Sequence, residues 1–400
     1  MTEYYADLHI HLGRDGDGRT VKVSASMDLT VRGVIEECSA RKGIHIAGVV
    51  DCHSPGVISE LQRMVEKGEA RELEGGGTWI PGTGLVGVTI IPASEVEVVA
   101  NGARFHIISY LPSIDSARGF SSWLGRRVKN LTLSSQRCSA DPNEVVGYVA
   151  GLGGFCVPAH AFTPYRGILG ACAERLAEVF DGACLRHIPA VELGLSADTD
   201  MADTIDEMKG YTLLSNSDAH SRATIGRECN LLEMATPSFS DLRSALKRHG
   251  TKMVSANYGL DPRLGKYHRT FCLECGKPAL GGETGHCPSC GSSRIVMGVW
   301  DRVRRIASYD HPVHPPHRPP YIKHVPLSFV PGVGPRAIDK MIARFGSEMN
   351  ALHRATREDI ASVVGEAVAA RIIAAREGWL TVRSGAGGKY GSVDQGSNLA

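Results

Sequence analysis

Short apolar, β-branched runs recur through the first 240 residues, and each one ends in or carries a side chain able to bind a metal. Tyr4–Leu8 leads into His9-Ile-His11, and Ile44–Val50 into Asp51-Cys-His53. Val86–Ile91 leads to Glu95, and Phe105–Tyr110 carries His106 near its start. Gly153–Val157 leads into Pro158-Ala-His160, Ile188–Leu193 carries Glu192, and Thr212–Leu214 leads into Ser215-Asn-Ser-Asp218-Ala-His220. Between most of these runs lie stretches of helical periodicity: Val31–Arg41, Val57–Lys67, Asn143–Leu152 and Ala171–Phe180. Strands alternating with helices predict a parallel sheet, and seven such units predict a barrel, open or closed.

Side chains at the C-terminal ends of parallel barrel strands converge on one face. The His, Asp and Glu residues from six or seven strand ends would therefore share one pocket. A lone buried histidine is more often structural than functional, and a lone carboxylate beside a strand is usually a cap. The pairing changes this. In an extended chain alternate residues lie on one face, so both imidazoles of His9 and His11 can reach one ion, and Asp218 and His220 repeat the spacing. Imidazoles with carboxylates suit Zn, Mn or Fe rather than Ca. The donors exceed what one tetrahedral ion needs, so two or three ions are expected. Such a cluster activates water and clamps a phosphoryl group, so the expected chemistry is phosphoester hydrolysis.

Length sets the number of domains at two or three for 400 residues, and no run of about 18 apolar residues spans a membrane. Met1-Thr-Glu-Tyr-Tyr lacks the layout of a signal peptide, and seven cysteines scattered singly over residues 38–229 read as reduced thiols, so a cytoplasmic, nucleoid-associated location is expected. The net charge of +1 argues at first against a nucleic-acid partner. Its distribution reverses that inference: residues 1–240 carry a net −9, residues 241–323 a net +8, and residues 324–400 a net +2. An acidic catalytic part joined to a basic, polyanion-holding part is the expectation. The expected boundaries are a barrel over 1–240, a basic domain over 241–310, a stiff Pro/His-rich linker over 311–323, a helical domain over 324–383 and a disordered tail over 384–400.

Two further motifs sit in the later domains. Cys272-x2-Cys275 and Cys287-x2-Cys290, each followed by glycine (Gly276 and Gly291), predict a closed structural zinc site. The basic residues around it, notably Arg302, Arg304 and Arg305, are expected to contact phosphate. Further on, Pro331-Gly332-Val-Gly334-Pro-Arg336 precedes an amphipathic stretch, and Val363-Val-Gly365-Glu follows later. This resembles a tandem helix-hairpin-helix module, in which glycines let backbone approach a phosphate while the next helix presents free N–H groups. Ala367 stands where the second hairpin would have its second glycine, so that hairpin reads as a weaker copy or a packing partner.

The motifs Asp7-Leu-His9-Ile-His11, Asp51/His53, Glu95, His106, Pro158-Ala-His160 and Asp218-Ala-His220 are similar to those of the polymerase-and-histidinol-phosphatase (PHP) superfamily. The resemblance implies an α/β fold: a distorted seven-stranded PHP barrel with a trinuclear centre. His9, His11, Glu95 and Asp218 would hold one ion, Glu95 with His106 and His160 a second, and His53 with His220 a third. Two departures weaken the third: Asp15 or Asp17 stands where the superfamily often has a further histidine, and Cys52 separates Asp51 from His53, so those two compete for one ligand role. A PHP barrel, a four-cysteine ribbon and an all-α helix-hairpin-helix C-terminus, in that order, resemble the endonuclease Q family over roughly residues 1–325. Glu72-Leu-Glu-Gly-Gly-Gly77, Ala190-Val-Glu-Leu-Gly-Leu195 and Leu214–His220 carry the match. It implies cleavage of the phosphodiester 5′ to deoxyuridine, deoxyinosine, deoxyxanthosine or an abasic site in double-stranded DNA. It also implies a nucleotide flipped out between barrel and ribbon, with Asp218, His9 and Glu95 catalytic. Zinc is the expected structural ion and a candidate catalytic one, alongside Mg or Mn. The alternatives are another PHP phosphoesterase, either a 3′-exonuclease or a phosphatase, and a non-catalytic DNA-binding scaffold.

Overall fold

The computed structural model describes residues 1–84, 86–279, 285–379, 382–385 and 387–393. Strands β1 (Thr2–Ile10), β2 (Ile46–Val49) and β3 (Val88–Ala100) run parallel, in register at Ala6↔Ile46 and Ile46↔Thr89. Strand β4 (Ala103–Tyr110) folds straight back on β3, and β5 (Phe155–Pro158) is antiparallel to β4. Strands β6 (Ala190–Glu192) and β7 (Thr212–Leu214) are a parallel pair. Backbone bonds from Cys156 N–H to the His187 carbonyl and from Ala161 N–H to the Glu192 carbonyl join β5 to β6. The ring closes where the chain after β7 meets β1, with His11 N–H on the Ala219 carbonyl and Ala219 N–H on the His9 carbonyl. Seven strands thus enclose one interior.

That interior is filled by Leu8, Ile46, Ile91, Ile108, Tyr110, Phe155, Val157 and Leu214, all essentially without solvent contact. A second apolar layer packs helices α1 (Val31–Glu37), α2 (Pro55–Glu66), α3 (Ile114–Leu124) and α4 (Pro142–Gly151) on the outside. Strands buried on both faces need apolar residues at every position, which is why the runs lack polar alternation.

The sheet is not all parallel. Asn101 (φ 49°) and Gly102 (φ 74°) make a two-residue turn with both backbones left-handed, the conformation an Asn-Gly hairpin favours, so β3 and β4 form a hairpin rather than two β/α units. The stretch Ala171–Phe180 also departs from the helix its periodicity suggests. Ala173 and Arg175 are extended, and Glu207 accepts the N–H groups of Leu176 and Ala177 at 2.8 and 3.1 Å.

Outside the ring, β8 (Cys229–Met234) pairs antiparallel with the start of β1, β9 (Met253–Gly259) with β8, and β10 (Tyr321–Lys323) parallel with β9. Helix α5 (Phe239–Leu246) follows β8, and α6 (Val299–Ile306) follows the four-cysteine ribbon. In the ribbon, Phe271–Cys272 pairs with Ile295–Val296. The Pro/His-rich segment is no free linker. Arg318, almost fully buried, forks onto Asp203 of the barrel at 2.7–3.1 Å, and His314 Nδ1 lies 2.7 Å from the same carboxylate. Short-range rules make that segment stiff; the buried aspartate makes it a strap.

Four helices close the chain: α7 (Pro335–Phe345), α8 (Glu348–His353), α9 (Arg357–Val364) and α10 (Glu366–Arg376), packed around Leu327, Met341, Leu352, Ile360 and Ile372. They dock on the barrel through Lys42–Glu348 (3.0 Å), Arg41–Asp339 (2.9 Å) and Arg354–Glu3 (2.6 Å), and a His324–His353 contact of 2.8 Å ties α8 to the chain just after β10. In the stretch expected to be a disordered tail, Ser392–Val393 pairs with Val382–Arg383 just before it, and the Gly385 and Gly391 N–H groups donate to the Arg263 and Leu264 carbonyls. Residues 394–400 of that expected tail lie outside the described residues. Among the described residues no helix is long and apolar enough to cross a membrane.

Candidate metal centre

His9 and His11, two residues apart at the end of β1, point the same way, and their Nε2 atoms face each other at 3.4 Å. Asp218 arrives from the segment that closes the ring, with Oδ1 at 3.5 Å from His9 Nε2 and 3.6 Å from His11 Nε2. Glu95 projects from the middle of β3 between them and a second pair. Its Oε1 is 2.9 Å from His106 Nδ1 and 3.3 Å from His160 Nε2, and its two oxygens are 3.5 and 3.4 Å from His9 and His11. Among the described residues, His9/His11/Asp218 and Glu95/His106/His160 are two groups whose donor atoms all lie within 4.8 Å of one another. Converging nitrogen lone pairs beside carboxylates would be poorly satisfied by each other, and a divalent cation between them fits that donor set.

The backbone is strained where the ligands sit. Asp218 (φ 46°) and His160 (φ 30°) are both left-handed, a conformation costing roughly 1 to 3 kcal/mol when the residue is not glycine. Burial opposes the charged form of His9, but Glu192 and Asp218 outweigh it and raise its pKa well above the usual value. Burial likewise works against ionised Glu95, yet His106 and Lys22 beside it hold its pKa well below the carboxylate range. The Asp218 side chain is 31% exposed and His220 33%, so the centre opens to solvent on their side.

Two further carboxylates, Glu192 and Asp51, orient these imidazoles. Glu192, fully buried in β6, takes His9 Nδ1 at 3.0–3.1 Å, the His160 N–H at 3.1 Å and the Asn216 amide at 3.0 Å. Asp51 accepts the Leu12 N–H at 2.7 Å and sits 3.3 Å from His11 Nδ1. Burial opposes its ionised form, but His11 and His53 bring its pKa to about 2. A carboxylate on Nδ1 fixes the tautomer that turns Nε2 toward an ion. The apolar run Ile188–Leu193 marked Glu192 as strand-borne; its role depends on a partner 183 residues away.

Not every expected ligand joins. His53 has Nδ1 at 2.8 Å from Ser94 Oγ and Nε2 at 3.2 Å from the Leu133 carbonyl, which leaves neither nitrogen for an ion. His220 turns Nδ1 to the Asp218 carbonyl at 3.0 Å and stands outside both groups. Asp15 is occupied in its own turn, accepting from the N–H groups of Asp17 and Arg19. Among the described residues the structure therefore brings neither His53 nor His220 into the two groups.

In the ribbon, Cys272 and Cys290 lie 3.7 Å apart through sulfur, as do Cys275 and Cys287. Four thiolates bound at 2.3 Å around a tetrahedral ion would be about 3.8 Å apart, so the residues fit a structural zinc. Gly276 (φ 66°) and Gly291 (φ 74°) allow the tight turn after each pair. Of the basic residues, Arg302 is turned inward: it donates to the carbonyls of Leu169 and Ala173 at 2.9 and 2.8 Å. Val299, Val303 and Ile306 face the barrel, and Arg302 lies beside that face, so it docks α6 rather than meeting phosphate. Arg305 is exposed, as is Arg304, whose guanidinium donates to the Asp310 carbonyl. Gly332 (φ 85°), Gly334 and Arg336 are exposed at the start of α7. Between barrel and ribbon, Tyr165, 42% exposed, stands edge-on to Tyr267 at 5.3 Å, and Tyr267 stacks on Phe271.

No family model matches the chain. The uncharacterized protein YqxK of Bacillus subtilis is 44% identical over 396 residues, which span 98% of this chain and 100% of that protein. The crystal structure of the lesion-specific endonuclease PfuEndoQ from Pyrococcus furiosus is similar with a TM-score of 0.83 and 31% identity, over 98% of this chain and 95% of that one. A structure of endonuclease Q with a 27-mer duplex bearing an abasic lesion at its active site matches at TM-score 0.83 and 30% identity over the whole of both chains. With that identity and structural similarity extending across nearly every residue, the chain belongs to the endonuclease Q family.

Proposed function

We propose that this chain is a metal-dependent repair endonuclease that cuts duplex DNA at the phosphodiester 5′ to a deaminated base (deoxyuridine, deoxyinosine or deoxyxanthosine) or an abasic site. The observation that carries the reading is the pair of adjacent ligand groups joined by Glu95 at an open mouth. His9, His11 and Asp218 would hold one ion, and Glu95, His106 and His160 a second; zinc, manganese or magnesium suits these donors, while the four cysteines suit zinc. Divalent ions in such a pair supply an activated water and neutralise charge on the phosphoryl group.

The chain's own residues do the positioning. Glu192 and Asp51 hold His9 and His11 in one tautomer, and the buried walls exclude bulk water from all but the Asp218 side. Arg304 and Arg305 of α6 and the Gly332–Arg336 turn would hold the duplex backbone through charge and free N–H groups. A flipped nucleotide would enter between barrel and ribbon, where the exposed Tyr165 ring offers a stacking surface.

The test incubates duplex oligonucleotides carrying one deoxyuridine, inosine or abasic site with protein and Mn or Mg, and maps the cut. The expected result is a single internal cut 5′ to the lesion. Asp218→Ala or His9→Ala should abolish cutting while duplex binding persists. Released mononucleotides or inorganic phosphate, or full cutting by either variant, would refute the reading.

A further inference from the structure

A cation already stands at the centre. Lys22 Nζ lies 3.4 Å from His11 Nε2 and 3.6 Å from Glu95 Oε2, with its side chain only 15% exposed. It donates to Ser135 Oγ at 2.6 Å, and the Ser135 hydroxyl in turn donates to Glu95. The arrangement is built rather than incidental. The Val21 carbonyl accepts the Ser134 N–H at 2.8 Å, stitching the lysine's loop to the serine's. Ser134 Oγ sits 3.1 Å from His11 Nδ1, and Ser135 is held at φ 51°, left-handed, to bring its hydroxyl between lysine and glutamate.

Every other group around Lys22 is suited to binding a cation, so an extra ammonium there opposes the site's own purpose unless an anion arrives to meet it. Glu95 cannot be that anion alone. Its oxygens already face His9, His11, His106, His160 and Ser135. An ammonium has three donors, and Ser135 takes one. We propose that Lys22 is a further catalytic residue whose ammonium, aimed by Ser135, binds a non-bridging oxygen of the scissile phosphate. The charge is in place before the phosphate arrives, so no reorganisation is needed when negative charge builds on the phosphoryl oxygens. The inference rests on the endonuclease reading above and assigns the phosphate contact within it.

The experiment uses the full chain with Lys22→Met and Lys22→Arg. Three quantities are read: metal content by elemental analysis, affinity for an abasic duplex, and single-turnover cutting rate. Cutting is followed on the normal linkage and on a methylphosphonate at the cut position, where a neutral methyl replaces one non-bridging oxygen. Lys22→Met should keep wild-type metal content and bind duplex within about threefold, yet cut at least about 100-fold more slowly. Lys22→Arg should recover about tenfold of that loss, because an arginine can still reach phosphate with its charge. On one methylphosphonate diastereomer the gap between wild type and Lys22→Met should close. Equal cutting by wild type and Lys22→Met overturns the proposal. So does loss of metal in Lys22→Met, which would make the lysine a counter-charge for Glu95, and so does a gap that persists on both diastereomers. A wild type that cuts no lesion-bearing duplex would instead overturn the endonuclease reading, and this one with it.

Discussion

Replacing Glu192 with glutamine changes no volume, yet it should disable the neighbouring metal ligand. One Glu192 oxygen faces His9 Nδ1 and the His160 N–H; the other faces His9 Nδ1 and the Asn216 amide. Glutamine has a single acceptor oxygen. With that oxygen on the His160 side, its NH2 meets the Asn216 NH2; with it on the other side, the NH2 meets the His160 N–H. Either way a buried donor loses its acceptor, a loss of about 1 to 3 kcal/mol. The second effect is on the proton of His9. A carboxylate on Nδ1 keeps the hydrogen there and leaves Nε2 as a lone pair toward Asp218 and Glu95. An amide sets an NH2 as well as an oxygen against Nδ1, so it no longer dictates the tautomer and admits the one that puts the hydrogen where an ion must bind. Loss of such an orienting partner weakens metal binding 10- to 100-fold, or about 1.4 to 2.7 kcal/mol. A competition titration against a chelating dye measures this directly, with denaturant unfolding of the metal-free chain giving the structural part. Metal affinity within about threefold of wild type would refute the tautomer argument, whatever the effect on cutting.

Arg302→Ala removes two buried, charge-assisted hydrogen bonds and should destabilise the chain by about 3 kcal/mol in denaturant unfolding. Reversing the charge of Arg304 and Arg305 should instead leave stability unchanged, weaken duplex binding and flatten its salt dependence; the opposite assignment of effects would show that α6 is read wrongly. Cys287→Ser should cost the chain one zinc by elemental analysis and expose the ribbon to protease while the barrel keeps its ions; an unchanged zinc count would exclude the four-thiolate site. His324 and His353 are held neutral, their pKa values brought to about 3 and about 2 chiefly by burial. An unfolded imidazole titrates near 6.5, so on acidification the unfolded chain takes up protons first. The stability this pair contributes is complete above pH 6.5 and declines below it, by about 2 kcal/mol per imidazole at pH 5. Unfolding midpoints at pH 7.5, 6 and 5 measure that slope, and His353→Phe should flatten it; a wild type indifferent to this range would contradict the neutral pair.

The residues that would touch an ion were legible because their chemistry is local. His9-x-His11 puts two donors on one face of an extended chain, and Cys-x2-Cys is a turn that a single sequence shows by itself. The groups that aim them were not legible. Glu192 and Asp51 take that role from imidazoles on another strand, and no spacing rule joins positions 9 and 192. His53, set apart from Asp51 by Cys52 in the sequence, turns in the structure to Ser94 Oγ and the Leu133 carbonyl. Arg302 was misread for a related reason: a count of charge along α6 does not register that the buried face of Val299, Val303 and Ile306 carries it inward. The Asn101-Gly102 turn is different. Its signal was present in the sequence, and the regular alternation of strands with helices drew attention from it.

The strap and the helical end share one consequence. Arg318 is clamped on Asp203, and the helices are tied to the barrel by Lys42–Glu348, Arg41–Asp339 and Arg354–Glu3. On the proposed reading, grip and blade are therefore mounted on a single frame, like the jaws of a gauge. The interval between a backbone held at the Gly332 turn and a bond cut beside Asp218 would then be a property of side-chain packing, not of tether length. Glycines inserted into the strap would leave the cut where it is for as long as those clamps hold, and a cut that wanders would report the moment at which they open.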